Sequence, residues 1–195
     1  MTTTTTKSRD LVKLFQNNEK KMKWEVKDLD FTVFPGAWSY CSEEMRNAVS
    51  CIQEKKSLNI LEFGCGVSTI KLFNLLSKKW EIKEYKCFET NQEFLITHPQ
   101  IDCILYHEKD IQSLDIGDTK YDFILIDGPN GVSRKYWYSK ITANVKSGTV
   151  ILIDDWCHYE EFELCLVNDF GSKVNFKIKE ERNESYKSWK IIEVT

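Results

Sequence analysis

Short apolar runs alternate along most of this chain with segments in which apolar residues recur at helical spacing. The apolar runs predict seven strands, at 58–63, 84–89, 101–106, 121–126, 148–153, 173–180 and 188–194. The helical patterns lie at 68–79, 91–97, 132–145 and 158–169. Strands that alternate with helices favour a mostly parallel sheet with helices on both faces. We therefore predict a Rossmann-like α/β fold.

The two ends of the chain depart from this alternation. Residues 173–180 and 188–194 alternate apolar and polar side chains around a polar turn, which predicts an antiparallel hairpin at one edge of the sheet. At the other end we expect a disordered tail over residues 1–8. Residues 9–57 are predicted to hold N-terminal helices and a lid segment on the substrate side, and 58–195 the main domain. Ser42 is expected to cap the second of these helices, with Glu43 and Glu44 in its first turn.

Composition and charge narrow the classes of function. The 195 residues are 42% hydrophobic and 29% charged, as in ordinary globular domains. The net charge of -3 gives no global basic field for nucleic acid. Neither a membrane-length apolar run nor a secretory signal pattern is found. We expect a cytoplasmic protein with no nucleic-acid or membrane partner, whose N-terminal segment serves as a lid or as a homodimer contact.

The chain has seven cysteines, at positions 41, 51, 65, 87, 103, 157 and 165. Their number is odd, and no two follow a Cys-x-x-Cys spacing. Several lie in apolar runs, where cysteine behaves as a small buried hydrophobe. This usage favours a reducing compartment, with no disulfide framework and no zinc site.

A glycine turn follows the first predicted strand, in the run Glu62-Phe63-Gly64-Cys65-Gly66. Ser68 and Thr69 then open a helical pattern. Glycines allow a sharp turn, and the amides at a helix N-terminus favour negative or electron-rich groups. The dinucleotide fingerprint is incomplete because its third glycine is missing, and the Gly-Lys-Ser/Thr of a P-loop is absent. The turn therefore predicts another nucleotide-like cofactor.

Acidic residues or glycines follow every predicted core strand. Since ligands of open α/β sheets lie at the carboxyl ends of the strands, these residues should meet at one edge. Besides the glycine turn, they are Glu89-Thr90, Asp110-Ile111, Asp127 and Asp154-Asp155. Glu89, about 23 residues past the glycine turn, suits a ribose diol.

With these motifs the sequence resembles the class I S-adenosylmethionine-dependent methyltransferases, from about Trp38 to the C-terminus. The resemblance implies a seven-stranded sheet of order 3-2-1-4-5-7-6 with the last strand antiparallel, and S-adenosyl-L-methionine as cofactor. The cofactor-binding residues that it implies are Glu62, Gly64, Gly66, Ser68, Thr69, Glu89, Thr90, Asp110, Ile111 and Asp127.

Three motifs, Glu-Phe-Gly-x-Gly-x-Ser-Thr, Ile-Asp-Gly-Pro and Ile-Asp-Asp, are similar to those of small-molecule and sugar O-methyltransferases. Ser68 stands where many members carry a third glycine. The resemblance implies methyl transfer to a hydroxyl of a sugar or glycan, for example a deoxysugar such as rhamnose. Asp127, Asp155 and His158 are the expected catalytic residues, with His158 as a candidate general base.

The carboxylates of Asp127, Asp154 and Asp155 also form a candidate metal site. Clustered carboxylates suit Mg²⁺ or Mn²⁺, and catechol-type O-methyltransferases place acids after the same strands. A bound metal would lower the pKa of the acceptor hydroxyl. On the alternative interpretation, Asp127 contacts only the cofactor and one of the pair caps the next helix.

Three other functions stay open at this point. They are a cation-dependent methyltransferase of catechols or small phenols, a metal-dependent glycosyltransferase, and a catalytically inactive scaffold.

Two further groups have alternative interpretations. The aromatic residues Trp38, Tyr40, Trp137, Tyr138 and Trp156 either line an acceptor pocket or belong to the core. Arg134 and Lys135 could bind an anionic acceptor, although a solvated helix start is favoured.

Overall fold

The computed structural model describes residues 29–34, 40–129, 131–156, 161–184 and 187–195. The predicted tail, the predicted first helix, Trp38 and His158 lie outside the described residues.

Seven strands form one sheet. Their bounds are β1 Ser57–Phe63, β2 Glu81–Glu89, β3 Asp102–Leu105, β4 Phe123–Ile126, β5 Val150–Asp154, β6 Phe176–Glu184 and β7 Lys187–Val194. Their order is β3-β2-β1-β4-β5-β7-β6. The first five strands pair in parallel, whereas β7 is antiparallel to both β5 and β6. The expected fold class and strand order are confirmed.

The described α-helices are short, with bounds α1 Ser42–Ser50, α2 Val67–Leu76, α3 Tyr136–Lys140 and α4 Glu161–Cys165. The predicted helix at 68–79 corresponds to α2, and a 3₁₀ turn precedes and follows α3. The helix predicted at 91–97 is wrong, because only the 3₁₀ turn Gln92–Phe94 forms there. His98, which precedes Pro99, is biased toward extended backbone and bridges to Ile101 instead of extending a helix.

Both faces of the sheet are buried. In β4, Phe123 and Leu125 point into one hydrophobic cluster, while Ile124 and Ile126 point into another. The first cluster includes residues of α1 and α2, and the second includes residues of α3 and α4. A parallel strand covered on both sides needs apolar residues throughout, which explains the unbroken apolar runs of β4 and β5.

The turns after β1 and β4 approach each other closely. A Cβ built on Gly64 would lie 2.7 Å from the backbone nitrogen of Gly128, and one on Gly128 would lie 2.6 Å from the Cα of Gly64. Gly64 also has a φ of 91°, which favours glycine. These two positions exclude any side chain for reasons internal to the protein.

Aromatic residues after β4 lie in the core. Trp137 stacks on Phe63 with ring centroids 3.7 Å apart, and its indole nitrogen donates to the carbonyl of Gly128 at 2.9 Å. Tyr138 and Trp156 are buried as well. The core interpretation therefore holds for these three residues, and the acceptor-pocket interpretation does not.

None of the helices in the described part of the chain is both long enough and apolar enough to cross a membrane.

The contact between Gly64 and Gly128 leads to a stability prediction. Replacement of Gly128 by alanine places a methyl group against backbone atoms that cannot rotate away, so we expect a loss of about 2–3 kcal/mol in the free energy of unfolding. Urea denaturation of Gly128→Ala and of the wild type measures this loss. Gly66→Ala is the matched control, because a Cβ there meets no atom within 4 Å. Equal stability of the two variants would contradict the assignment.

Candidate functional site

The glycine turn is fixed by hydrogen bonds to the end of β2 and to α2. The amide of Gly64 donates to the carbonyl of Phe88 at 2.8 Å, and the amide of Cys65 donates to the Glu89 carboxylate at 2.8 Å. The amide of Gly66 donates to the hydroxyl of Thr69 at 3.0 Å. The turn is therefore pre-organised by the protein alone.

Gly66 has no steric reason of its own to be glycine. Its backbone is extended, and a Cβ there would point into open space. A groove of about 390 Å³ begins at this position. Its lining residues are Gly66, Val67, Ile70, Lys71, Glu93, Phe94, Leu95 and Ile96. Val67 is 72% exposed and Phe94 56% exposed, so apolar surface is open to solvent beside the turn.

Glu89 organises the end of β2. Its carboxylate accepts hydrogen bonds from the amides of Cys65, Thr90 and Asn91, at 2.7–2.8 Å. The side chain is buried. Carboxylate oxygens have more than one lone pair each, so Glu89 can still accept from a ligand hydroxyl at the edge of the turn.

Glu62 lies beneath the turn and is fully buried. One carboxyl oxygen accepts from the hydroxyl of Tyr85 at 2.6 Å, while the other has no hydrogen-bond partner. Burial raises the pKa of Glu62 to about 8, and the hydrogen bond from Tyr85 opposes this shift. The second oxygen of Glu62 is therefore an unsatisfied buried polar group beneath the turn.

The other residues expected to bind cofactor take different positions. Ser68 lies half-buried in the first turn of α2, and Thr90 bonds to Glu89 through both its amide and its hydroxyl. Asp110 is exposed at the end of a 3₁₀ turn after β3. Ile111 is buried in the hydrophobic cluster that contains Tyr106. Asp110 and Thr90 are thus reachable from solvent, while the Ile111 side chain serves the core.

Three carboxylates meet at the ends of β4 and β5, as expected. Asp127, Asp154 and Asp155 each place an oxygen within 4.8 Å of the other two. Asp154 is buried, while Asp127 and Asp155 are partly exposed. Asp155 has a φ of 54°, a left-handed conformation that aspartate tolerates better than most residues.

Lys187 is the counter-ion of Asp154. Its ammonium lies 2.7 and 2.8 Å from the two carboxylate oxygens of Asp154, and 3.4 Å from an oxygen of Glu44. Burial alone would lower the pKa of this ammonium, but Glu44 and Asp154 raise it above its ordinary value. Lys187 therefore stays charged and neutralises the buried end of β5.

Glu44 completes this group from the first turn of α1. It is fully buried, and burial together with Asp154 raises its pKa well above the ordinary value, which favours the neutral acid. Its carboxylate also closes a capping box with Cys41. The sequence correctly placed Glu44 in the first turn of this helix, but the predicted cap at Ser42 is wrong, because Cys41 is the N-cap and Ser42 is the first helical residue. The contact of Glu44 with the acidic edge was not predicted.

Arg134 is the second cation of the site, and the solvated helix start favoured for it is wrong. Its side chain is 1% exposed. The guanidinium donates to the carbonyls of Pro129 and Asp154 at 3.0 Å, and to that of Asp127. It also lies 3.9 Å from the carboxylate of Asp127 and 3.6 Å from that of Asp155. Arg134 therefore ties the turns after β4 and β5 together.

Asp127 lies among charged groups that shift its pKa in both directions. Burial and the neighbouring Asp154 raise its pKa well above the ordinary value, and Arg134 and Lys187 offset part of the shift. A carboxylate with a raised pKa takes up a proton more readily near neutral pH. The hydroxyl of Tyr40 is buried without a hydrogen-bond partner. Burial raises the pKa of Tyr40 well above its ordinary value, and the charges of Asp127 and Glu62 raise it further.

The oxygen atoms of the three aspartates are suitable ligands for a divalent cation, but two cationic side chains already face their negative charges. Carboxylate oxygens suit Mg²⁺ or Mn²⁺. However, the Lys187 ammonium already contacts both oxygens of Asp154, and Arg134 faces the other two carboxylates. The chain supplies its own compensating cations, so the predicted metal site gains no support.

The ion pair at the end of β5 leads to a second prediction. Lys187→Met leaves Asp154 buried without its cation, so we expect a loss of about 3–5 kcal/mol in the free energy of unfolding. Lys177→Met is the matched control, because its ion pair with Glu193 is more exposed and worth about 0–1 kcal/mol. Chemical denaturation of both variants at neutral pH measures the difference, and equal losses would contradict the role of Lys187.

Comparison with known proteins supports the fold. No family model matches the sequence, and no curated protein matches it. Among solved structures, a TehB-like SAM-dependent methyltransferase from Corynebacterium glutamicum has a TM-score of 0.54 and 13% identity, over 78% of this chain and 86% of the other. A precorrin-6y C5,15-methyltransferase from Geobacter metallireducens has a TM-score of 0.53 and 15% identity, over 83% and 92%.

A ribosomal protein L11 methylase from Lactobacillus delbrueckii is also similar, with a TM-score of 0.52 and 13% identity over 78% of this chain and 79% of the other. At these identities the likeness concerns architecture. The chain therefore has the fold of class I S-adenosylmethionine-dependent methyltransferases.

Proposed function

We propose that this chain is an S-adenosylmethionine-dependent methyltransferase that acts on a hydroxyl of a sugar or a similar small polar acceptor. The observation that carries the proposal is the edge of the sheet where Gly66 faces open space beside the buried Glu89. Similar architecture in methyltransferases supports it.

The residues around the turn fit this cofactor. Gly66 leaves room for a ligand to approach the backbone, and Glu89 is oriented by three amides to accept from ribose hydroxyls. The unpartnered oxygen of Glu62 would accept a hydrogen bond from a ligand donor. S-Adenosylmethionine, when bound, supplies an electrophilic methyl group on a positively charged sulfur.

Asp127 is the proposed general base. Its carboxylate, with a raised pKa and partial exposure, would accept the proton of the acceptor hydroxyl. Arg134 holds the turn on which Asp127 sits through hydrogen bonds to neighbouring carbonyls, which fixes the position of the base. Asp155 is more exposed and can orient the acceptor by accepting from a second hydroxyl.

Recognition of the acceptor would rest on these carboxylates. Neighbouring hydroxyls of a sugar are donors that Asp127 and Asp155 can accept from together. Trp137 and Tyr138 are in the core, so stacking on these rings takes no part in recognition. The net charge of -3 and the acidic edge disfavour a polyanionic acceptor.

Metal assistance, as in the catechol-type alternative, is not part of this mechanism. Lys187 and Arg134 already balance the carboxylates that would hold the ion. We therefore assign deprotonation of the acceptor to Asp127 without a metal-bound step.

Calorimetric titration with S-adenosylhomocysteine tests the cofactor assignment. We expect the wild type to bind, and Gly66→Val to lose at least about 100-fold in affinity, since its side chain fills the space left for the ligand. The thermal midpoint of Gly66→Val should stay near that of the wild type, since the backbone there is extended and no protein atom is crowded. Absence of binding to the wild type would refute the proposal.

Asp127→Asn separates chemistry from cofactor binding. The amide keeps the shape of the side chain but cannot accept the proton, so we expect turnover to fall on the order of 100-fold or more while S-adenosylhomocysteine still binds. Methyl transfer from radiolabelled cofactor to a panel of sugars measures the activity. Asp118→Asn, on the exposed surface, is the control. Loss of cofactor binding in Asp127→Asn would instead assign Asp127 to the cofactor.

A further inference from the structure

Three cysteines that are far apart in sequence meet beside the glycine turn. Cys65 follows β1, Cys87 lies in β2 and Cys103 lies in β3. Their sulfur atoms are all within 4.8 Å of one another, and those of Cys65 and Cys103 are 3.1 Å apart. Cys87 and Cys103 are register partners on adjacent parallel strands, so their side chains share one face of the sheet. The topology alone creates this cluster.

The spacing of the sulfur atoms suits a single metal ion. Zinc–thiolate bonds are about 2.3 Å long, which places the sulfurs of a three-thiolate site roughly 4 Å from one another. The 3.1 Å separation of the Cys65 and Cys103 sulfurs is shorter than this value, and no separation exceeds 4.8 Å, so an ion would be enclosed after these two sulfurs move apart. Thiolates select soft ions such as Zn²⁺ and Cu⁺ over Mg²⁺ or Ca²⁺.

The cluster is largely shielded from solvent. Cys87 and Cys65 are buried, and Cys103 is half-buried. The carbonyl oxygen of Phe94 lies 3.5 Å from the sulfur of Cys65, so an oxygen donor adjoins the three sulfurs. An ion held by these sulfurs would therefore have little contact with water.

We propose that Cys65, Cys87 and Cys103 bind one thiophilic metal ion, either Zn²⁺ or Cu⁺. Binding displaces the thiol protons to solvent and forms three metal–sulfur bonds without any change of oxidation state. Because Cys65 lies in the glycine turn, Cys87 in β2 and Cys103 in β3, the ion would connect the turn to both strands. The amide of Cys65 is already bonded to Glu89 at the end of β2. This site is separate from the three aspartates and does not depend on the proposed methyl transfer.

Metal titration of the full chain under reducing conditions tests the site. Co²⁺ serves as the optical probe, because thiolate coordination gives a charge-transfer absorption, and Zn²⁺ is added to displace it. A separate arm titrates Cu⁺ against a chromophoric Cu⁺ chelator. We expect one equivalent to bind in at least one arm, and the arm with the tighter binding identifies the ion.

Cys103→Ser is the test variant, and Cys51→Ser is its matched control. Both residues are half-buried free cysteines that pack against the same hydrophobic cluster, but only Cys103 belongs to the three-sulfur group. Loss of one of three ligands should weaken metal binding on the order of 100-fold or more. Cys51→Ser should bind like the wild type.

A second measurement on the unmodified chain covers the case in which Cys103→Ser does not fold. Alkylation by iodoacetamide, followed by peptide mass spectrometry, should show that the metal protects Cys103 but not Cys51. The proposal is overturned if the reduced wild type binds neither ion, if Cys103→Ser and Cys51→Ser bind equally, or if the metal protects both cysteines alike.

Discussion

The approach of the backbone at Gly64 to that at Gly128 is the constraint on which the rest of the site depends. It brings the turns after β1 and β4 into contact, and Trp137 fixes the second turn through the carbonyl of Gly128. Glu89 then holds the far side of the first turn. The glycine turn and the row of carboxylates can adjoin each other only because neither glycine carries a side chain.

Charge at this edge is balanced inside the protein. Asp154 is paired with Lys187, and Glu44 is kept close to neutral by burial. Arg134 is buried against backbone carbonyls and faces the more exposed carboxylates. A buried carboxylate is costly without a nearby cation, so these cations make the acidic edge compatible with a stable fold. They also leave Asp127 as the carboxylate with both a raised pKa and an approach from solvent.

The sequence patterns predicted all seven strands to within a few residues. β4 and β5 are buried throughout and leave an unbroken apolar run, whereas the last two strands were found from their alternation of apolar and polar residues. The acids expected at the strand ends also lie there. The role of Lys187 as a counter-ion could not be predicted from the sequence, because the residues next to it in the chain do not indicate an acidic partner. Lys187 meets Asp154 only because β7 runs antiparallel to β5. The cysteine cluster was missed for a similar reason, because spacing along the chain does not show which side chains the sheet brings together from the β1 turn, β2 and β3. The helix predicted at 91–97 did not form beyond a single 3₁₀ turn, because Pro99 favours extended backbone at His98, which bridges to Ile101.

The origin of Lys187 in the final hairpin has a consequence for synthesis. Glu44 and Asp154 both leave the ribosome before Lys187 does, so the nascent chain carries these two acids without their ammonium partner. The first five strands can pair earlier. Burial of the Asp154 carboxylate at the end of β5 is unfavourable until β7 brings in Lys187. Maturation of the acidic edge therefore waits until the segment that forms β7 has been translated.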